Sequence, residues 1–157
     1  MALKKFPKDF IFGGATAAYQ VEGATSDGGR GPCVWDEDMN RPGSRFNADP
    51  ASDFYHQYKK DLELSQEFGV NGIRISISWT RILPSGEGEI NQAGIDYYND
   101  LINECIRRGV EPFVTLHHFD TPLSYFHDGH WLNRSLIGKF EAYAKVCFEA
   151  FGDRVKK

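Results

Sequence analysis

The chain of 157 residues has little cysteine, no long apolar run and no block of charge of one sign. Its three cysteines are odd in number and widely spaced, which indicates free thiols. No apolar run approaches the roughly 20 residues of a membrane span, and the first seven residues lack an apolar leader segment. The 18 basic and 22 acidic residues are interspersed. We therefore expect a cytoplasmic protein with neither a membrane nor a nucleic acid as its partner.

Short motifs that bind metals and nucleotides are also missing. The chain has no CxxC, HExxH, GxGxxG or P-loop pattern. His117 and His118 are neighbours at the end of a predicted strand. Adjacent side chains of a strand point to opposite faces, so the two imidazoles are poorly placed to share one metal ion. The sequence therefore predicts neither a metal site nor a cofactor.

Three strand-like segments alternate with three helical patterns. The strands are predicted at residues 10–12, 70–79 and 110–116. The helices are predicted from Asp49, as N-cap, to Gly69, from Asn91 to Gly109, and from Asn133 or Ser135 to Gly152. Residues 25–48 form a long loop with Trp35 as an aromatic anchor. This βα alternation predicts an α/β fold with a parallel sheet.

Arg74 is the most unusual residue of the predicted strands. It lies between Ile73 and Ile75 in a strand that should be buried on both faces. A buried guanidinium is very costly unless a carboxylate faces it. Two interpretations follow: a structural ion pair, for which Glu22 is a candidate, or a functional arginine that orients a catalytic carboxylate.

Several polar and aromatic residues gather near the carboxyl ends of the predicted strands, where ligands of α/β proteins bind. Gln20 offers a donor and an acceptor to neighbouring hydroxyl groups, and His118 offers an imidazole. Trp79 or Phe119 supplies an aromatic face that can stack on the C–H surface of a pyranose ring. This combination predicts a small-molecule sugar as the binding partner.

Three motifs resemble glycoside hydrolase family 1, in the order in which that family carries them. They are FIFGGATAAYQVEGA at residues 10–24, GIRISISWTRI at 72–82 and TLHHFDTP at 115–122. The resemblance implies a retaining β-glycosidase with a (β/α)₈ TIM barrel. Residues 1–157 then supply about the first three βα units, as an incomplete part of one catalytic domain.

The resemblance also implies roles for individual residues. Gln20 and His118 match residues that bind hydroxyls of the sugar in the cleaved subsite, and Phe119 stands where β-glucosidases usually have tryptophan. Arg74 matches the arginine beside the nucleophile, whereas we interpret Glu22 as a buried structural partner. The family carries its acid/base glutamate after strand 4 and its nucleophile after strand 7. No catalytic carboxylate is therefore expected within residues 1–157, and we expect these residues alone to be inactive.

The substrate class is narrowed by two stretches. Residues 117–122 and 49–55 are similar to bacterial 6-phospho-β-galactosidases, which implies a phosphorylated lactose-type substrate. Residues 40–46 depart from the pattern of those enzymes, so 6-phospho-β-glucosidase and β-glucosidase remain alternatives. A non-catalytic sugar-binding partial barrel is the alternative from another class.

Overall fold

A three-stranded parallel sheet in the order β1–β2–β3 forms the centre of the computed structural model, which describes residues 5–157. The strands are β1 (Gly13–Ala15), β2 (Gly72–Ser76) and β3 (Glu111–Thr115). Gly72 of the central strand is in register with Gly13 on one side and with Glu111 on the other. The N-terminal stretch in which no leader is predicted falls partly in residues 1–4, which lie outside the described residues.

Helices join the strands within residues 5–157. They are α1 (Ala18–Val21), α2 (Val34–Met39), α3 (Phe54–Glu67), α4 (Trp79–Ile82), α5 (Gln92–Arg107) and α6 (Ser135–Phe151), with 3₁₀ turns at Leu123–Tyr125 and His130–Leu132. The three long helices α3, α5 and α6 follow the three strands in turn. The predicted βα alternation is therefore confirmed, as are the predicted second and third helices. In this part of the chain no helix is long and apolar enough to cross a membrane.

The central strand is covered on both faces. Ile73 and Ile75 are buried in the main core together with apolar side chains of α3, α5 and α6. Ser76, on the opposite face, is buried as well, and its hydroxyl accepts a hydrogen bond from the backbone N–H of Ala18 at 2.7 Å. Since both faces carry packed side chains, β2 has the environment expected of a strand in a parallel α/β sheet.

The first strand lies later in the chain than residues 10–12, where it was predicted. Phe10 and Phe12 are instead held by the side chain of Asn71, which donates to the Phe10 carbonyl and accepts from the Phe12 N–H. The strand ladder begins at Gly13, where a Cβ would lie 2.3 Å from the Gly72 carbonyl oxygen. The absence of a side chain at Gly13 permits this close backbone approach, which an apolar-run criterion does not detect.

The first long helix also begins later than predicted. Asp49 does not cap it, because the Asp49 carboxylate accepts hydrogen bonds from the backbone N–H and the hydroxyl of Thr25. Helix α3 begins at Phe54, after Asp53, whose φ of 53° lies in the left-handed region. Thus Asp49 fixes the long loop after β1 and not the helix.

Candidate functional site

An open cleft of about 400 Å³ lies beyond the carboxyl ends of β1 and β3. Its lining is mostly aromatic and apolar, with a few polar side chains. The lining residues are Tyr19, Gln20, Trp35, Met39, Phe46, Asn47, Ala48, Ala51, His118 and Phe119. Gln20, His118 and Phe119, the three residues predicted to bind a sugar, are therefore together in one cleft.

Gln20 reaches the cleft because β1 and β2 fix the short helix α1. The backbone N–H of Thr16 donates to the Arg74 carbonyl at 2.8 Å, and the Ala18 N–H donates to Ser76. These contacts place α1 at the end of the sheet and leave Gln20 exposed. Its amide is free to pair with two hydroxyl groups at once.

Arg74 lies beneath the cleft and contacts His118. Its Nη1 atom is 3.2 Å from Nδ1 of His118. A guanidinium only donates, so Nδ1 acts as the acceptor and the proton of the neutral imidazole is on Nε2. This tautomer leaves the Nε2 proton of His118 available for a hydrogen bond to a ligand.

The suggested ion pair between Arg74 and Glu22 is wrong. Glu22 accepts from Nε of Arg81 at 2.7 Å and from the Tyr98 hydroxyl at 2.8 Å. Within residues 5–157, no carboxylate forms a salt bridge with Arg74. Sequence spacing alone does not distinguish the two arginines, because Arg81 lies in a helical turn after the strand that carries Arg74.

Arg81 and Glu22 form a buried structural pair, with side chains 2% and 5% exposed. Arg81 also donates to the carbonyls of Gly23 and Ala24, and its guanidinium lies 4.3 Å from the centre of the Tyr55 ring. These contacts join the loop after β1 to α3 and α4. Glu22 thus has the buried structural position expected of it, and it does not line the cleft.

Phe119 and Phe46 are both exposed aromatic residues of the cleft lining, and Phe119 is the one that sequence predicted. Its side chain is 67% exposed, and its φ of 65° lies in the left-handed region, which a bulky residue rarely adopts. The prediction that Trp79 could stack on a sugar is wrong. Trp79 is fully buried, stacks on Tyr143 and donates from its indole N–H to the Gly86 carbonyl.

Trp35 forms a wall of the cleft that sequence reasoning interpreted only as a loop anchor. Its ring stacks on Tyr19 with centroids 6.3 Å apart. Arg30 and Asp36 form a mostly buried ion pair of 3.0 Å beside this stack. Burial, together with the charge of Asp36, raises the pKa of Tyr19. In the sequence, Trp35 is a lone tryptophan within a long polar segment. This pattern indicates an anchored ring but does not show which way the ring faces.

His117 and His118 point in different directions, although both lie beyond the end of β3 at Thr115. His118 faces Arg74, whereas Nε2 of His117 lies 2.9 Å from the Thr121 hydroxyl. Burial lowers the pKa of His117 to about 4. Burial raises the pKa of the nearby Asp120 to about 6. His117 is partly buried and is not among the lining residues of the cleft, whereas His118 is.

The chain belongs to glycosyl hydrolase family 1, because the model of that family matches residues 2–157. Among curated proteins, the chain is 64% identical over 155 residues to a 6-phospho-β-galactosidase of Clostridium acetobutylicum. That alignment covers 99% of the chain and 32% of the relative. It is also 60% identical over 149 residues to a 6-phospho-β-galactosidase of Staphylococcus haemolyticus, over 95% of the chain and 32% of the relative.

Solved structures identify the fold. A rice β-glucosidase mutant in a covalent complex with Glc superposes with a TM-score of 0.93 at 46% identity, over 96% of this chain and 32% of that one. A Thermotoga maritima β-glucosidase in complex with castanospermine gives 0.92 at 43% identity, over 99% and 36%. The predicted (β/α)₈ barrel is confirmed, and the chain spans about a third of the length of these relatives. Its three βα units are the corresponding part of that barrel.

Proposed function

We propose that the chain is the sugar-binding part of a retaining glycosidase that hydrolyses 6-phospho-β-galactosides to a sugar phosphate and an aglycone sugar. Gln20 and His118 bind hydroxyls of the sugar that is cleaved, and Phe119 packs against its ring. The similarity to two enzymes named 6-phospho-β-galactosidase, at 64% and 60% identity, supports this substrate class. The β-glucosidase structures are less similar, at 46% and 43%.

The contact between Arg74 and His118 is the observation that carries the proposal. A half-buried guanidinium contacts His118, which lines a cleft whose described lining contains no carboxylate. Retaining glycosidases need two carboxyl groups, one as the nucleophile and one as the acid/base. Both come, in this proposal, from parts of the longer protein outside residues 1–157. Arg74 then faces the nucleophile, holds it ionised and orients it toward the anomeric carbon.

Three carboxylates that are close in sequence to lining residues are already paired or buried. Glu22 is paired with Arg81 and Asp36 with Arg30. Asp120 is 1% exposed. These three acids are therefore unsuited to attack a bound sugar. This supports the expectation that residues 1–157 bind part of the substrate and lack the groups that cleave it.

The test is hydrolysis by the full-length protein of four nitrophenyl substrates: β-galactoside, β-galactoside 6-phosphate, β-glucoside and β-glucoside 6-phosphate. We expect the highest kcat/KM for β-galactoside 6-phosphate. A preference for either glucoside would replace the proposed substrate by that of a 6-phospho-β-glucosidase or a β-glucosidase. Absence of turnover with all four would contradict the glycosidase proposal and favour a non-catalytic sugar-binding protein.

A further inference from the structure

Phe119 and His118 present their side chains to the cleft from a backbone turn that is unfavourable for a bulky residue. The φ of Phe119 is 65°, in the region that glycine adopts readily and phenylalanine does not. Such a conformation persists only where neighbouring contacts impose it. A contact that fixes this turn therefore also fixes both side chains relative to the sugar.

Asp120 supplies that contact. Its Oδ1 atom accepts the backbone N–H of His118 at 3.2 Å, so the side chain closes a ring over the peptide units on both sides of Phe119. Asp120 is 1% exposed, and its Oδ2 atom has no hydrogen-bond partner among residues 5–157. A carboxyl group in such surroundings is costly to bury, which is expected where the group has a specific task.

The residues after Asp120 are fixed to the segment that leads into α2, the helix that carries Trp35. The Thr121 carbonyl accepts a hydrogen bond from the Val34 N–H at 2.9 Å. The Leu123 N–H donates to the Pro32 carbonyl at 3.0 Å. This short antiparallel pairing connects the walls formed by Trp35 and Phe119. Asp120 lies between the end of β3 at Thr115 and the paired segment that begins at Thr121.

We propose that Asp120 is a positioning residue, which holds His118 and Phe119 in the sugar cleft by accepting the His118 N–H across the strained Phe119 turn. Its role in catalysis depends on the proposed function, whereas its role in the turn does not. Burial raises the pKa of Asp120 to about 6, and both the ionised and the protonated carboxyl keep an oxygen that can accept this bond. The acceptor, and not the charge, is therefore what the turn requires.

The turn is tested by urea unfolding of the full-length protein in a double-mutant cycle of Asp120→Ala and Phe119→Gly. Glycine adopts a positive φ without strain, so the Asp120 contact matters less in its presence. We expect Asp120→Ala to lower the urea midpoint at least about twice as much with Phe119 as with Gly at that position. Equal decreases in both backgrounds would overturn the proposal.

The effect on catalysis is tested with Asp120→Ala, Asp120→Asn and the matched control Cys105→Ala, which opens the buried core of α5 away from the cleft. We expect Asp120→Ala to lower kcat/KM by at least about tenfold, mainly through kcat, because the sugar-binding groups shift. Asp120→Asn keeps the acceptor oxygen and should stay within about threefold of the unmodified protein. Cys105→Ala should stay within about twofold even where its urea midpoint is equally lowered.

If Asp120→Asn loses as much activity as Asp120→Ala, or Cys105→Ala loses as much as either, the positioning role is wrong. If the unmodified protein hydrolyses none of the four nitrophenyl substrates, the proposed function fails. In that case the double-mutant cycle in urea still tests the role of Asp120 in the turn, because it does not depend on activity.

Discussion

Arg81 and Arg74 lie on one short stretch of chain, yet their surroundings differ completely. Arg81 is buried, with a bond to Glu22, three backbone carbonyls as acceptors and a tyrosine ring beneath its guanidinium. Arg74 is only partly buried and reaches one side chain, His118, at the base of an open cleft. The first arginine is satisfied by its own chain, and in the proposed function the second faces a carboxylate outside residues 1–157.

In the proposed function, this difference separates a structural charge from a functional one. A buried ion pair that is fully hydrogen-bonded fixes loops but has no capacity left for a ligand. A partly buried guanidinium with few partners remains available to a reacting group. The four predictions that follow test this contrast and the residues around the cleft, from the largest expected effect to the smallest.

Loss of the Glu22 carboxylate should have the largest effect on stability. Glu22→Ala leaves the Arg81 charge buried and unpaired, so we expect the free energy of unfolding to fall by about 3–5 kcal/mol. Urea unfolding of the full-length protein measures it. Asp38→Ala is the control, since its pair with Arg41 is exposed and should contribute less than about 1 kcal/mol. Similar losses for both variants would contradict the structural assignment of Arg81.

Removal of the Arg74 charge should act on catalysis and leave the fold intact. Arg74→Met keeps much of the apolar stem and removes the group that faces the proposed nucleophile. We expect kcat/KM to fall by about 100- to 1,000-fold, as for loss of one preorganised electrostatic group. The melting temperature should change little. Arg41→Met, at an exposed position, is the control and should leave both quantities unchanged.

The pKa shifts of His117 and Asp120 have opposite effects on the pH dependence of the free energy of unfolding. His117 titrates near 4 when folded and near 6.5 when unfolded, so it removes stability as pH falls through this range. Asp120 titrates near 6 when folded and near 3.8 when unfolded, so acidification adds stability. The two contributions nearly cancel in the unmodified protein.

Asp120→Asn uncovers the His117 contribution. Between pH 6.5 and 4.5 we expect this variant to lose about 2 kcal/mol more unfolding free energy than the unmodified protein. His117→Gln should show the reverse, a smaller loss than the unmodified protein. Urea titrations at the two pH values measure both, and parallel behaviour of all three proteins would contradict the opposed shifts.

The smallest effect concerns the aromatic face. Phe119→Ala should lower kcat/KM by about fivefold, which corresponds to about 1 kcal/mol of lost ring contact with the sugar. Phe119→Trp preserves an aromatic face and should retain most of the activity. Phe68→Ala removes an exposed phenylalanine outside the cleft and should have no effect. Equal changes in kcat/KM for Phe119→Ala and Phe68→Ala would contradict a contact between Phe119 and the sugar.

Much of this arrangement can be predicted from sequence because periodicity reports local structure. The alternation in residues 73–77 and the apolar stripe of α5 predict their elements well, since burial imposes both patterns. The start of β1 is missed because it depends on a backbone contact between Gly13 and Gly72. The start of α3 is missed because a carboxylate that can cap a helix can equally bind Thr25.

For the site, residue chemistry predicts Gln20, His118 and Phe119, and the structure brings them into one cleft. Pairing is harder to predict than position. From the sequence, both Arg74 and Arg81 are possible partners of Glu22. Only the packing of α4 against the loop after β1 selects Arg81. Trp79 was expected at the cleft and is buried, whereas Trp35 was expected as an anchor and lines the cleft. Tertiary contacts decide which ring faces the cleft.

The most direct test of the distinction between the two arginines is the pH dependence of kcat/KM in the full-length protein and in Arg74→Met. A guanidinium beside the nucleophile lowers the pKa of that carboxyl, so its removal should raise the apparent pKa of the acid limb by about 1–3 units. Phe119→Ala, which leaves the charge in place, should not move this limb. An unchanged acid limb in Arg74→Met would contradict the account, because it would mean that Arg74 does not face the catalytic carboxylate.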